Sequence, residues 1–176
     1  TNDSRVLVSA QTDATGDVTE DEDTDTGTAG TQTEATGTVS FSDPDLSNVV
    51  KAGLNGVEQT STKTTQTGKY GTLTLGTVSH NGSSAAGSVG WTYELNNSTS
   101  AVQALAKDET LTDETFTITV FDASGASVAQ TVRLTVTGTN DDPTITAAIA
   151  DFGFTEAADA SVQALADSGT LAFDDV

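Results

Sequence analysis

The sequence predicts an all-β protein, an antiparallel β-sandwich with one short helical turn. Three observations support this fold class. Apolar residues alternate with threonine over residues 115–137, short apolar segments recur between Gly-, Asp- and Ser-containing turns, and only one segment has helical character. The 176 residues are 35% hydrophobic and 5% aromatic, so the core is expected to come from many thin elements rather than from one aromatic-rich centre.

The clearest element is a hairpin over residues 115–137. Its apolar residues follow a period of two, which is typical of strands with one buried face. These residues are Phe116, Ile118, Val120, Val128, Val132, Leu134 and Val136. Residues 122–125, Asp-Ala-Ser-Gly, have the composition of a tight turn.

Upstream, residues 70–75 and 91–95 predict a second strand pair, joined by a polar Gly/Ser loop over 79–90. Val39 and Phe41 indicate a strand that ends before Asp43. Thr-rich strands suit half-exposed positions in a sheet.

Three further segments complete the assignment. The Thr-rich residues 56–67 predict an edge strand. A helical turn is predicted over residues 101–106, with Ser100 as its N-cap. The segment 20–36 is acidic and then rich in Thr and Gly, without apolar periodicity, and is predicted to be a solvated loop over 23–36.

Composition narrows the function classes. The 26 acidic against 6 basic residues give a net charge of −20, which argues against nucleic acid and anionic membranes as partners. No apolar run is long enough to cross a membrane, and Thr1 does not open a signal peptide, so we expect an internal piece of a longer protein. The chain has no Cys and one His, His80, which leaves little chemistry for an enzyme.

The sequence also repeats itself. Thr-Asn-Asp at residues 1–3 recurs at 139–141, an offset of 138, and the segment 37–43 recurs at 169–175, an offset of 132. We interpret 1–138 as one complete repeat and 139–176 as a linker and the N-terminal part of the next. The short tail is expected to dock, to stay mobile or to be an incomplete second domain, and the sequence does not decide among these.

Oxygen-rich side chains at the predicted strand ends suggest calcium sites, because Ca²⁺ prefers six to eight oxygen ligands. The turn after residue 121 and the one after Phe41 are expected at the same end of the sandwich as the entry segment. The first predicted cluster consists of Asn2, Asp3, Asp43, Asp45 and Asp122.

A second cluster is predicted at the opposite end. There the first strand ends, the chain leaves the domain, and the repeat register places the counterparts of Asp43 in the next repeat. The predicted ligands are Glu20, Glu22, Asn140, Asp141, Asp174 and Asp175.

Several segments together resemble the VCBS repeat, a bacterial cadherin-like and Ig-like module of large secreted RTX adhesins. They are residues 70–75, 91–97, 101–105, 109–113 and 136–141. The resemblance implies an extracellular β-sandwich in tandem array at the bacterial cell surface, exported by type I secretion, with calcium at its junctions. In cadherins a Glu, an Asn-Asp linker and an Asp-x-Asp share calcium, similar to Glu20, Asn140-Asp141 and Asp174-Asp175.

Two functions follow from these patterns. The first is a calcium-stabilised spacer repeat of an adhesin involved in attachment or biofilm, whose partners are neighbouring repeats of the same chain. The alternative is a binding module that recognises a glycan or a cell-surface protein through loops 20–36 and 79–90. A sugar-stacking platform of Trp91 and Tyr93 and a hydrolase with paired carboxylates are weaker interpretations.

Overall fold

The computed structural model describes residues 6–7, 11–22, 33–46, 49–58, 64–122, 125–147, 153, 155, 158–159 and 168–175. The chain divides into two compact units, Thr1–Asn140 (unit 1) and Asp141–Val176 (unit 2). Among the described residues, no helix is long and apolar enough to cross a membrane.

The elements of unit 1 within these ranges are ten strands and one helix. They are β1 (Val6–Leu7), β2 (Thr15–Thr19), β3 (Glu34–Ser42), β4 (Val50–Leu54), β5 (Val57–Glu58), β6 (Thr64–Thr67), β7 (Gly71–Ser79), β8 (Ala86–Leu95), α1 (Ser100–Gln103), β9 (Thr110–Asp122) and β10 (Ser127–Thr137). Unit 2 contains β11 (Thr144–Ala147) and β12 (Ala172–Asp174).

Unit 1 is a sandwich of two five-stranded sheets. Sheet one has the order β1-β3-β8-β7-β6, and sheet two has the order β2-β10-β9-β4-β5. Both sheets contribute to one core, in which the rings of Tyr93 (sheet one) and Phe116 (sheet two) lie 5.9 Å apart. The sequence prediction of an all-β sandwich is therefore confirmed.

The two predicted strand pairs are present. In the hairpin of β9 and β10, Val128 lies opposite Val120, and Val132 lies opposite Phe116. In the pair of β7 and β8, Leu73 lies opposite Tyr93. The alternation of threonine and apolar residues sets both registers, because a shift by one residue would move every apolar side chain to the solvent face.

The N-terminal segment is shared between the sheets. β1 pairs antiparallel with β3 at the edge of sheet one. β2 then joins the edge of sheet two, where it pairs parallel with β10, with Val18 opposite Val136. This parallel pair departs from the purely antiparallel prediction. It arises because the chain crosses from one sheet to the other after β1 and continues in the direction of the last strand.

Other details differ from the prediction. The helix covers only Ser100–Gln103, and its N-cap is Thr99, not Ser100. The connection between β7 and β8 comprises only residues 80–85, because strand pairing continues to Ser79, which lies opposite Ser88. β3 begins at Glu34, so the predicted loop over 23–36 is wrong for residues 34–36, while residues 23–32 lie outside the described residues.

The predicted edge strand over residues 56–67 corresponds to two edge strands. β5 lies at the edge of sheet two, and β6 lies at the edge of sheet one. Both are short and half-exposed or exposed, which suits their polar, Thr-rich sequence.

Candidate metal centres at the two ends of the sandwich

The topology of unit 1 defines two ends. β3 ends at Ser42 and β4 begins at Val50, which lies opposite Asp122 at the end of β9. We call this the β3–β4 end. β10 finishes at Thr137, opposite Thr110 at the start of β9. We call that opposite end the β10 end.

Two predicted ligands are buried at the β3–β4 end. Asp43 is 1% exposed, its amide donates to the carbonyl of Ala85 (2.7 Å), and its Oδ1 accepts from the amide of Asp45 (3.1 Å). Asp122 is 8% exposed, and its Oδ1 accepts from the amide of Ala126 (2.9 Å). The turn that follows it contains Gly125 with φ of 90°, a conformation that favours glycine.

The rest of this predicted cluster is less defined. Asp45 is half-buried in the loop after β3. Asn2 and Asp3 lie outside the described residues.

At the β10 end, Glu20 is fully buried. Its amide donates to the carbonyl of Thr137 (3.0 Å), and its Oε1 accepts from the amide of Thr139 (3.2 Å). The carboxylate therefore lies against the segment by which the chain leaves β10. Glu22 is half-buried, and Asn140 is exposed.

Sequence reasoning missed two further buried residues at this end, Asp21 and Asn97. The amide of Asp21 donates to Oδ1 of Asn97 (2.9 Å), and Nδ2 of Asn97 donates to the carbonyl of Asp21 (3.2 Å). Asp21 is 1% and Asn97 4% exposed. This reciprocal pair connects the segment after β2 in sheet two with the segment after β8 in sheet one.

In unit 2, the predicted ligands differ in burial. Asp141 is 7% exposed, whereas Asp174 and Asp175 are exposed. The assignment of all three residues as ligands stays a prediction.

Three of the buried acids at the ends share a sequence signal. Each lies two positions beyond a buried apolar residue of its strand. Glu20 follows Val18, Asp43 follows Phe41, and Asp122 follows Val120. Because strand side chains alternate between faces, a residue two positions past a core residue points inward. The strand pattern therefore indicates that these carboxylates face the interior rather than solvent.

Glu114 is a further buried acid that the sequence analysis did not select. It lies two positions before Phe116 and therefore on the same inward-facing side of β9. Its carboxylate accepts from the amides of Lys69 (3.2 and 2.9 Å) and Tyr70 (2.8 Å), and so connects sheet two to the β6–β7 turn of sheet one. Burial raises the pKa of Glu114, and the two backbone amides oppose that rise. A Cβ on Gly68 would lie 1.7 Å from Oε1, so a side chain at this position would displace the carboxylate of Glu114.

The donor set at both ends suits a hard cation. It consists of carboxylate oxygens at the β3–β4 end and of carboxylate and carboxamide oxygens at the β10 end, both of which Ca²⁺ prefers. Among the described residues, no group of three or more His, Cys, Asp or Glu side chains could hold a metal ion by itself. A calcium ion at either end would therefore need carboxamide, carbonyl or water oxygens in addition to the carboxylates.

The aromatic residues do not form a surface platform. Trp91 is 2% exposed and Tyr93 is fully buried. The indole Nε1 of Trp91 donates to the carbonyl of Asp13 (2.9 Å), which ties sheet one to the segment before β2. The sugar-stacking interpretation of this pair is therefore wrong. His80 packs its ring against Phe41 at a centroid distance of 6.1 Å.

No family model matches the sequence, and no curated protein is significantly similar to it. The resemblance to the VCBS repeat therefore stays a prediction from the sequence motifs.

Proposed function

We propose that this chain is a calcium-stabilised structural repeat, a non-catalytic spacer in a large extracellular adhesin. The observation that carries the proposal is the burial of acidic side chains at both ends of the sandwich. Glu20, Asp21, Asp43 and Asp122 are each at most 8% exposed. The all-β sandwich and the internal repeat support the spacer role, and the VCBS-like motifs support the adhesin.

Burial of carboxylates is costly without compensation by hydrogen bonds or cations. The whole chain has only 6 Lys and Arg residues for 26 acidic residues, so its net charge is −20. Two carboxylates about 5 Å apart repel by about 3 kcal/mol at an effective dielectric constant of about 20. A divalent cation at each end would offset such repulsion wherever two carboxylates lie this close.

The expected stabilisation is substantial. With calcium at about 10 mM and a dissociation constant of about 0.1–1 mM, each site contributes about 1.4–2.7 kcal/mol to the free energy of unfolding. That is a large part of a typical domain stability of about 5–15 kcal/mol. Export in a calcium-poor, looser state and stiffening outside the cell would follow from this dependence.

The test is thermal unfolding of the full chain in calcium and in chelator, followed by the fluorescence of the single Trp91, which is buried in unit 1. We expect calcium to raise the unfolding temperature, and Glu20→Gln to reduce that increase. Asp17→Asn, which changes an exposed acid on β2, is the matched control and should retain the full increase.

Equal unfolding temperatures with calcium and with chelator would refute the calcium role. A glycan array with the same protein addresses the alternative binding module. A saturable hit that is lost on substitution in the residue 80–85 turn would favour the binder over the spacer.

A further inference from the structure

The pairing of β11 with β12 in unit 2 reproduces the pairing of β1 with β3 in unit 1. In unit 1, Val6 lies opposite Ser42 and Leu7 opposite Phe41. In unit 2, Thr144 lies opposite Asp174 and Ile145 opposite Phe173. The first strand is displaced by 138 positions and the second by 132, which are the two offsets of the sequence repeat. The β1–β3 pair and the β11–β12 pair are therefore structurally equivalent.

The equivalents differ in what covers them. Phe41 is fully buried, whereas Phe173 is 69% exposed, and Ile145 opposite it is 68% exposed. In unit 1 the other edge of β3 is occupied by β8, with Ser42 opposite Ala86 at one end. In the described part of unit 2, β12 pairs with β11 alone.

The contact between β3 and β8 has a specific form. Phe41 lies opposite Gly87, and Gly37 lies opposite Trp91, so each strand places an aromatic ring over a glycine of the other. A Cβ on Gly87 would lie 2.3 Å from Cζ of Phe41, and a Cβ on Gly37 would lie 2.3 Å from Cζ2 of Trp91. These two pairs fix the register of β8 on β3.

Unit 2 contains the equivalents of the two β3 residues in this contact, a glycine and a phenylalanine. Gly169 lies four residues before Phe173, as Gly37 lies four residues before Phe41. We propose that the exposed edge and apolar face of β12 bind an extended strand of the β8 type, Gly-x-x-x-Trp. This strand would pair antiparallel with β12, with its glycine opposite Phe173.

The occupant is identified by what covers the same surface in unit 1. A strand of this pattern supplies both a partner for the edge and a space for the ring of Phe173. A second copy that used its own β12 would instead place two phenylalanine rings at the same edge, without the glycine that unit 1 uses. The proposal concerns strand pairing and does not depend on calcium.

The probe is a fluorescein-labelled peptide of residues 84–97, which contains β8, added to the full chain in chelator. We expect saturable binding by fluorescence anisotropy. Phe173→Ala should weaken that binding by about tenfold or more. Val57→Ala removes an apolar side chain that is 63% exposed at another sheet edge, and it should leave the affinity unchanged.

Two peptide variants test the register. Gly87→Ala places a methyl group against the phenylalanine ring and should weaken binding by about tenfold or more. Gly90→Ala should bind as the parent peptide does, because in unit 1 the nearest atom to a Cβ at Gly90 is 3.9 Å away.

Three results would overturn the proposal. The first is no saturable binding at peptide concentrations up to about 100 μM. The second is binding that Phe173→Ala does not change, which would place the peptide elsewhere. The third is self-association of the chain in sedimentation experiments that Phe173→Ala abolishes without peptide binding, which would make a second copy the occupant.

Discussion

Units 1 and 2 contain the same strand pairing in two different environments. Leu7 opposite Phe41 and Ile145 opposite Phe173 are equivalent pairs, yet Phe41 is fully buried and Phe173 is 69% exposed. The strand pairing therefore recurs with the repeated sequence, whereas burial depends on the other strands of the same sheet and on the opposing sheet. A two-stranded sheet alone has little stability in water, so the comparison predicts unequal effects of equal substitutions.

The largest expected difference is between Phe41→Ala and Phe173→Ala. Removal of the buried ring should cost about 3–5 kcal/mol of unfolding free energy, because it removes apolar contacts and leaves a cavity. Removal of the exposed ring should cost less than about 0.5 kcal/mol. Urea unfolding followed by Trp91 fluorescence measures both. A large loss for Phe173→Ala would show that its side chain is packed in the free protein.

The next comparison concerns the acids that follow these phenylalanines. Asp43 is 1% exposed, and its register equivalent Asp175 is exposed. Asp43→Asn should remove about 1.4–2.7 kcal/mol of the calcium-dependent stabilisation of unit 1. Asp175→Asn, at an exposed position, should reduce that stabilisation by less. The midpoint of urea unfolding, measured at increasing calcium concentrations, checks both variants. An identical response of the two variants would show that Asp43 does not contribute to a calcium site.

A smaller effect is expected at two glycines of β8. Gly87→Ala should destabilise unit 1 by about 1–2 kcal/mol, because its methyl group meets the ring of Phe41. Gly90→Ala has room for a methyl group and should be neutral or stabilising by up to about 1 kcal/mol. If both variants lost the same stability, backbone conformation rather than the ring contact would explain the need for glycine.

The smallest expected effect is the pH dependence due to Glu114, because burial and the two backbone amides act in opposite directions on its pKa. Burial prevails and raises that pKa, so the contribution of Glu114 to stability is complete below its pKa in the unfolded chain. It is lost as the pH rises through the higher pKa of the fold. The stability of the wild type relative to Glu114→Gln should therefore fall as the pH rises above the ordinary glutamate pKa of 4.5. Urea unfolding across this range measures it, with Glu94→Gln at an exposed position as the control. A difference that rose with pH would contradict the assigned direction.

Strand positions were largely predictable because alternation is a local property. The alternation of apolar and polar residues around Phe116 and Val132 predicts the β9–β10 hairpin. Val39 and Phe41 likewise predict β3. The repeat in the sequence aligns Phe41 with Phe173. The strand pairs that contain these two residues have the same register. The short helix begins one residue earlier than the sequence predicts, and its N-cap Thr99 makes no side-chain capping hydrogen bond, so cap preference did not decide where the helix starts.

The candidate sites were only partly predictable. The alternation along each strand indicates that Glu20, Asp43 and Asp122 face the interior. The same rule selects Glu114, whose carboxylate accepts hydrogen bonds from the backbone amides of a distant turn. Asn97 was not selected because its partner, Asp21, is 76 residues away in the chain. No local pattern shows which groups a buried acid will contact.

The sequence by itself determined the β class, the strand alternation, the acidic character of the ends and the internal repeat, because each depends on residue order over short distances. Only the tertiary structure decided that β2 runs parallel to β10, that Glu114 connects the sheets, and that one phenylalanine of the repeat is buried while its equivalent is exposed. These outcomes depend on which distant strands meet, and burial is a property of the assembled sheets rather than of any one segment.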